Sequence, residues 1–515
     1  MRTSLVLAVS FALVVLCLPA MAELEQVEVG GSVRLRYNYL NNIYNNFVAG
    51  QPGPRVDYGP FRVGKRPVGG PFGPVVASIF DWDEEGQDAG FVEQRTRLHV
   101  NAQFTDEVRT FIEFDSYDIW GEDFRSRDYV TGLDTRANSA DDVEVFQAYV
   151  EAKEMWGTKL RLRAGRQEIR LGSEWLVGPR DFAFFFSGIS FDAIRLTWMG
   201  DAYSVDVFAS KLAERFSDFG EDDIDFYGVY ASCTAVENMT FDAYWLLVRD
   251  DTPIEDVPNG LLLGLWEDLR GLDDYDTTNL HTLGLRWAGQ RAGFDWDAEA
   301  AYQIGDASAL GTTFKSRLYG DDDAEFDTWG LKLDAGYAFD VKHHPHLFLG
   351  LRYYGGEDNR DITFWDWINP FYKADASVSF NRLFSNQIAS GFTDLNNDLS
   401  NAWLARVGVE GAITEKLLAR FCVTYFESLA DFDRPVVPLL TFWTRTNDDA
   451  MGVDTYLFCE YHYTEDLIFE FGWAHLWTMD GYEEGNYNRW LGTLFDGGTD
   501  DDDADYVYGG CKVYF

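Results

Sequence analysis

Polar and apolar side chains alternate with a period of two through about eighteen segments of this chain, most of them 10 to 13 residues long. Successive side chains of a β-strand point to opposite faces, so this alternation predicts strands with one apolar and one polar face. A tilted strand of about 9–11 residues is long enough to cross a bilayer. The predicted strands span residues 27–39, 92–104, 107–118, 143–155, 159–167, 189–199, 202–212, 224–235, 239–248, 279–288, 293–304, 326–339, 346–355, 401–412, 416–427, 450–462, 466–477 and 506–515.

The connections between these segments alternate strictly between tight turns and long polar loops. Thr105-Asp106, Gly200-Asp201, Thr414-Glu415 and Thr464-Glu465 have the composition of tight hairpin turns. Nine long loops and eight short turns place both ends of the strand array on the short-turn side, which is periplasmic in outer-membrane barrels. The sequence therefore predicts an all-β fold, a transmembrane antiparallel β-barrel of about 18 strands with short periplasmic turns and long extracellular loops. A soluble propeller or sandwich would have shorter strands and would not need this alternation of connections.

The two faces of a strand can be assigned from the cost of placing charge in lipid. Segment 27–39 places Leu35 and Tyr37 on one face and Arg34 and Arg36 on the other. An arginine that faces lipid at the middle of the membrane costs about 2–4 kcal/mol, so the charged face must line the inside of the barrel.

The chain of 515 residues shows no linker or break in composition, which favours one large barrel over several domains. At its start, Arg2 precedes the apolar stretch from Leu5 to Leu18, and small residues end at Ala22. This order is typical of a secretory signal peptide and is preferred over a retained anchor, for which the stretch is short. We therefore expect a signal peptide at 1–22, a barrel at 23–515 and location in the outer membrane.

The formal net charge of −44 makes nucleic acid a poor partner. The acidic runs at 81–85, 221–223, 321–323 and 500–503 fall in loops, where they are solvated surface or, alternatively, bind divalent cations beside anionic outer-leaflet lipid. The four cysteines after residue 22 lie far apart inside strands, which predicts free thiols and no metal site. There is no phosphate-binding loop, dinucleotide fingerprint or nucleophile elbow, so we expect no cofactor and no enzyme.

The strand arginines are the strongest functional signal. Each arginine could form an ion pair with an acid on a neighbouring strand and only stabilise the barrel wall. Some arginines of the set should nevertheless remain available to solutes in the channel. Rings of arginine favour anions, and a lumen of mixed sign suits a sugar acid whose carboxylate arginine binds bidentately. The loop at 356–400, which carries the aromatic run 364–372, could fold inward and narrow the pore, stack on sugar rings, or pack on neighbouring loops.

The stretch Arg161-Leu162-Arg163-Ala164-Gly165-Arg166-Gln167-Glu168-Ile169-Arg170-Leu171-Gly172, followed by Phe191-Asp192-Ala193-Ile194-Arg195-Leu196, resembles the alginate-export porin family. The resemblance implies an eighteen-stranded barrel that passes an anionic uronate polymer through an arginine-lined pore. It also implies that Arg163, Arg166, Gln167, Asp192 and Arg195 line the wall near the constriction. Arg166 and Gln167 are adjacent, so both can face inward only at a bulge or a folded strand end. The family's exporter uses a long inner-side turn as a plug, whereas the longest such turn here is 340–345.

These observations predict a passive, selective outer-membrane channel for anionic or carbohydrate solutes, including alginate-like uronate polymers. The expected partners are outer-membrane lipid and an anionic sugar or small solute. A structural or adhesive barrel with a plugged lumen, and a membrane-embedded hydrolase, remain as alternatives. The predicted pore-wall residues are Arg161, Arg163, Arg166, Gln167, Asp192, Arg195, Arg34, Arg36, Arg95, Arg97, Arg286, Arg352 and Arg406.

Overall fold

The structure is a computed structural model that describes residues 24–41, 89–120, 143–179, 188–214, 216–217, 220–221, 223–251, 277–306, 323–356, 375–377, 379–391, 400–429, 433–435, 444–446, 449–480, 488–489, 492–493 and 503–515. Eighteen antiparallel strands form one closed barrel. Their bounds are β1 Gln26–Asn41, β2 Ala89–Thr105, β3 Val108–Ile119, β4 Glu144–Ala152, β5 Leu160–Gln167, β6 Phe191–Met199, β7 Tyr203–Ala213, β8 Ile224–Cys233, β9 Met239–Asp250, β10 Thr278–Arg291, β11 Phe294–Asp306, β12 Asp323–Ala338, β13 His346–Tyr354, β14 Ala402–Ala412, β15 Leu417–Ser428, β16 Ala450–His462, β17 Leu467–Thr478 and β18 Ala504–Tyr514.

Each barrel strand pairs with the next one along the chain, and the first strand pairs with the last. The β1–β18 register runs from Ser32 opposite Tyr514 to Asn41 opposite Asp505. Beyond it, the Gly31 amide donates to the Phe515 carbonyl at 2.9 Å. This pairing closes the sheet, so the barrel wall presents no free strand edge. Residues 375–377 add a short parallel pairing to β12.

All eighteen predicted strands are present, and the predicted order of short turns and long loops is confirmed. The turns are stabilised locally: the Thr105 Oγ1 accepts hydrogen bonds from two following amides, and Thr414 repeats the arrangement. Between β10 and β11, Ala292 and Gly293 both have positive φ, as a two-residue type I′ hairpin requires. The prediction of strand up to residue 155 is wrong, because β4 ends at Ala152 and a 3₁₀ turn follows.

The two faces of the wall differ as the alternation predicts. Outward-facing Leu285 and Ile194 are 67% and 59% exposed, and they belong to an apolar band around the barrel. Inward-facing Asn38 and Glu93 are fully buried. The four described cysteines are free thiols, as predicted. No helix within the described ranges is long and apolar enough to cross a membrane.

Candidate functional site

Two segments from the long-loop side fold into the lumen. Residues 168–179 follow β5, and residues 379–391 lie between β13 and β14; we call them the inner segments. They are joined by backbone hydrogen bonds from the Phe384 amide to the Leu176 carbonyl at 2.8 Å and from the Gly178 amide to the Phe384 carbonyl at 2.9 Å. The lumen is therefore narrowed from the long-loop side, not by an inner-side turn.

An apolar core fixes the inner segments to the wall. Trp175 is fully buried between Phe380 and Tyr354, with ring centroids 5.9 and 6.3 Å away. Phe384 packs against Phe191 of β6 and Phe226 of β8 at 5.1 and 5.0 Å. Deleting a buried aromatic side chain typically costs about 3–5 kcal/mol, so this core is a substantial attachment.

Polar contacts complete the attachment. The Ser173 hydroxyl donates to Glu299 of β11 at 2.6 Å, and the Tyr244 hydroxyl donates to the other oxygen of that carboxylate at 3.0 Å. The Gln303 side chain pairs with the Asn381 backbone in both directions, at 2.6 and 2.7 Å. Because buried polar groups cost free energy when unpaired, these contacts specify where the segments sit.

Glycine permits close approach where the inner segments meet the wall. A Cβ on Gly330 of β12 would lie 2.4 Å from the Phe380 ring, and a Cβ on Gly391 would lie 2.4 Å from the ring of Tyr456 of β16. The segment 379–391 thus contacts β6, β8, β12 and β16, on different sides of the barrel. This segment therefore crosses the lumen.

A group of four arginines lies on the inner face of β3, β5 and β6, and we call it the cationic patch: Arg109, Arg161, Arg163 and Arg195. Glu151 of β4 accepts from Arg109 at 2.9 Å and from Arg163 at 2.6 Å. Arg195 pairs with Asp206 of β7 at 2.8 Å. Four guanidinium groups therefore share two carboxylates.

Arg161 differs from the other three members of the cationic patch. It donates to the Thr197 hydroxyl at 3.2 Å and forms no ion pair with any described residue. Its neighbours on the inner face include Arg163 and Arg195, which are opposite each other in the β5–β6 register. The patch thus carries excess positive charge at Arg161.

Aromatic rings hold several inner-face arginines in place. The Arg163 guanidinium lies over the Tyr149 ring at 4.4 Å, and that of Arg97 over the Phe146 ring at 4.0 Å. Stacking on a ring leaves the guanidinium edge to planar carboxylates, and in Arg163 that edge already donates two hydrogen bonds to Glu151, at 2.9 and 2.6 Å. Ring support therefore pre-organises these cations.

The other predicted arginines on the inner face are matched by acids. Those of β1 and β2 pair with Glu470, Glu93, Asp115 and Glu113: Arg34, Arg36, Arg95 and Arg97. On the far side of the barrel, Arg286 pairs with Asp242 and Asp297. Asp334 bridges Arg352 at 2.8 Å and Arg406 at 2.9 Å. These pairs hold neighbouring strands together while keeping charge on the lumen face.

The inner segments carry an ionic contact of their own. Arg170 lies between Glu168 and Glu174, at 3.0 and 3.1 Å. Burial opposes its charge, but the two carboxylates outweigh burial and raise the pKa of this guanidinium. Arg170 therefore stays charged beside the narrowed passage.

The structure corrects the placement of two predicted pore-wall residues. Arg166 and Asp192 pair bidentately at 2.8 and 2.9 Å, but on the outer face of the barrel. The alternation continues without a bulge, so the adjacent Gln167 and Phe191 take the inward positions and are buried. Gln167 faces inward as predicted, but its amide donates to the Gly165 and Ala193 carbonyls instead of reaching an open passage.

The sequence offered inward folding of the loop at 356–400 as one alternative, but the individual residues that form the narrowing, in 168–179 and 379–391, were missed. The run Trp175-Leu176-Val177 is apolar within a long loop, and this was the available signal. The aromatic run 364–372 lies outside the described residues, as do most of the acidic loop residues. Among the described residues, no group of three His, Cys, Asp or Glu side chains could hold a metal ion.

A closed eighteen-stranded barrel with an apolar outer band, a charged lumen and loops folded inward is the architecture of an outer-membrane porin. The sequence profile of the alginate export family matches residues 81–419, more than half of the chain. This protein therefore belongs to the alginate export family. Family and fold together support an outer-membrane channel and point to a transporter, not an enzyme.

One solved structure supports the fold, and two others are reported as similar. Pseudomonas aeruginosa OccK8 (OprE) matches with 10% identity and a TM-score of 0.52, over 96% of this chain and 98% of that one. Acinetobacter baumannii OccAB4 and Pseudomonas aeruginosa OpdQ match with 10% and 11% identity and TM-scores of 0.47, over 96% and 95% of this chain and 100% and 98% of theirs. A search of curated proteins finds no match.

Proposed function

We propose that this protein is a passive outer-membrane channel for anionic carbohydrate, of the uronate kind that the alginate export family name indicates. The cationic patch is the observation that carries the proposal, because four guanidinium groups share two carboxylates there. A lumen surface with excess positive charge attracts anions and lowers the barrier to their passage. We also propose that residues 1–22 are a signal peptide for secretion of the chain to the outer membrane.

A uronate chain carries one negatively charged carboxylate per ring, and the cationic patch offers positively charged guanidinium groups to bind it. Each contact in a water-filled pore is weak, so a chain can bind and move on in steps. The paired charges of β1, β2 and β10 to β14 offer further polar contacts to sugar hydroxyls without adding net charge.

Single-channel recording in a planar bilayer tests the proposal directly. We expect open channels with a reversal potential that shows anion preference, and a current that oligouronates block. Neutral oligosaccharides of the same length are the control and should block far less, since they lack the carboxylate. Open channels with equal block by both sugars would retain the channel and reject the anionic substrate.

The inner segments give one specific reason to weigh a plugged structural barrel as the second candidate. They pack on several sides of the wall and narrow the lumen. The absence of any conductance in the recording described above would favour that second candidate.

Replacing Glu151 with glutamine tests whether the net positive charge of the cationic patch produces the anion preference. The change leaves Arg109 and Arg163 without their shared carboxylate. We expect anion preference to rise roughly fivefold, because the removed carboxylate repels a permeating anion by about 1 kcal/mol. The reversal potential in a salt gradient measures this.

Folding must be checked in the same variant, because breaking a buried ion pair is costly. Urea unfolding should show lower stability than the wild type, with the barrel still formed in the absence of urea. A folded Glu151→Gln channel with unchanged or reduced anion preference would contradict the role of the cationic patch.

A further inference from the structure

The lumen wall beside the cationic patch carries three stacked aromatic rings, one from each of β2, β3 and β4: His99, Phe111 and Tyr149. We call them the ring row. The ring centroids of neighbours are 5.4 Å apart in both pairs, and the ring planes differ by 27° and 26°. Phe111 and Tyr149 are directly opposite each other in the β3–β4 register. The ring row is therefore a continuous apolar strip across three strands, about 10 Å from end to end because neighbouring strands lie about 4.8 Å apart.

Alternation places the ring row on the inner face of the barrel. Phe111 is two residues from Arg109 of the cationic patch, and His99 is two residues from the inward-facing Arg97. The Phe111 and His99 side chains are half-buried, so part of each ring is accessible from the lumen. Apolar surface exposed to water in a charged pore is unfavourable unless a ligand with apolar groups covers it.

Support of arginine side chains accounts for only one end of the ring row. The guanidinium groups of Arg163 and Arg109 lie 4.4 and 6.0 Å from the centroid of the Tyr149 ring. Within the described ranges, no guanidinium group lies over the ring of Phe111 or His99. The ring row thus continues across two further strands, with rings that do not serve to hold an arginine in place.

His99 supplies hydrogen-bonding groups at the far end of the ring row. A Cβ on Gly30 of β1 would lie 2.8 Å from the His99 ring, so glycine at this position leaves space for the ring. Neither ring nitrogen of His99 has a hydrogen-bond partner in the part of the chain that the structure describes. A neutral imidazole has one N–H donor and one nitrogen acceptor, and both suit a sugar hydroxyl. His99 is therefore available to a ligand that lies along the ring row.

We propose that the ring row and the cationic patch together bind a short segment of an acidic sugar chain. The C–H groups of one sugar ring contact Phe111, a hydroxyl bonds to His99, and the carboxylate of a neighbouring ring binds Arg161. Arg161 forms no ion pair with any described residue and is two positions from Arg163, which lies over Tyr149. An anion without sugar rings would use the arginines alone. This inference rests on the proposed function and adds the residues that distinguish acidic sugars from other anions.

Block of the full-chain channel by two trivalent anions tests this inference. One is a linear triuronate, and the other is an acetylated, amidated triglutamate, which has three carboxylates but no sugar ring. Single-channel recording gives a blocking constant for each, and we expect wild type to bind the triuronate roughly tenfold more tightly. Phe111→Asn removes the central ring and should bring the ratio of the two constants close to one, and His99→Asn should lower it several-fold. Phe458→Asn, on the inner face of β16 away from the ring row, should keep the wild-type ratio.

The comparison of the two anions on wild type does not depend on how any variant folds. A triuronate that blocks more strongly than a neutral trisaccharide but no more strongly than the triglutamate would overturn this inference and leave the proposed function intact. No block by the triuronate would overturn both. A wild-type ratio that persists in folded Phe111→Asn and His99→Asn channels, or that Phe458→Asn lowers equally, would place the sugar contact elsewhere and overturn its assignment to the ring row.

Discussion

Replacing Arg161 with glutamate is expected to abolish the anion preference of the channel and its block by oligouronates. The change converts the cationic patch from four cations and two carboxylates to three of each, because Arg161 is the member without an ionic partner among the described residues. Two unit charges at about 4 Å in water interact by about 1 kcal/mol, so a change of two charges is worth about 2 kcal/mol, or roughly 30-fold in relative permeability.

The same strand supplies a matched control. Arg166 lies five positions further along but on the outer face, paired with Asp192. Arg166→Glu should leave the reversal potential unchanged, and Arg161→Lys should retain most of the anion preference. An Arg161→Glu channel that still prefers anions, or an Arg166→Glu channel that loses the preference, would refute the assignment of selectivity to the cationic patch.

Replacing Trp175 with alanine is expected to release the inner segments and widen the pore. Trp175 is fully buried and packs on Phe380 and Tyr354, so its removal should weaken the attachment by about 3–5 kcal/mol. We expect higher and more variable single-channel conductance, since the segments would leave the lumen for part of the time. Bilayer recording measures both the mean and the fluctuation.

The barrel itself should survive this change, because its strands are joined by backbone hydrogen bonds that do not involve Trp175. Trp175→Phe should keep a stable conductance, as it preserves an aromatic ring at the site. Trp329→Ala removes an outward-facing tryptophan that is 54% exposed and should not alter conductance. If Trp175→Ala conducts like the wild type while remaining folded, the inner segments do not set the width of the pore.

The strands were predictable because two independent signals agree on them. The period-two alternation marks each strand and its faces, as at Arg34 and Leu35, and the turn residues mark where it ends, as at Thr105 and Thr414. Both signals are local, and a barrel repeats the same local unit many times. The cost of placing arginine in lipid then fixes which face is inside.

The inner segments were not predictable from the same signals. Leu176 and Phe384 lie in irregular chain, and they meet only because β5, β13 and β14 bring their loops over the same lumen. Phe384 packs against Phe191 and Phe226, which are remote from it in sequence. No periodicity encodes such contacts.

The sequence predicted that the inner face as a whole is charged, but it did not predict the ionic partner of each arginine. Which arginine keeps a partner depends on the relative register of neighbouring strands, and Glu151 can serve both Arg109 and Arg163 because it lies between them. The family motif alone placed both Arg166 and Gln167 in the pore. Adjacent residues of a regular strand face opposite sides, so Arg166 faces outward when Gln167 faces inward. The local physical rule was the better guide there.

The position of the inner segments along the barrel axis has an electrical consequence. They pack on the long-loop half of the wall, whereas Arg109 and Arg161 lie near the short turns, each as the second residue of its strand. A pore that is narrow at one mouth and positive at the other accumulates mobile anions under one voltage polarity and is depleted of them under the other. The channel should therefore rectify, and the direction of the rectification would report which way round each molecule has inserted into a planar bilayer.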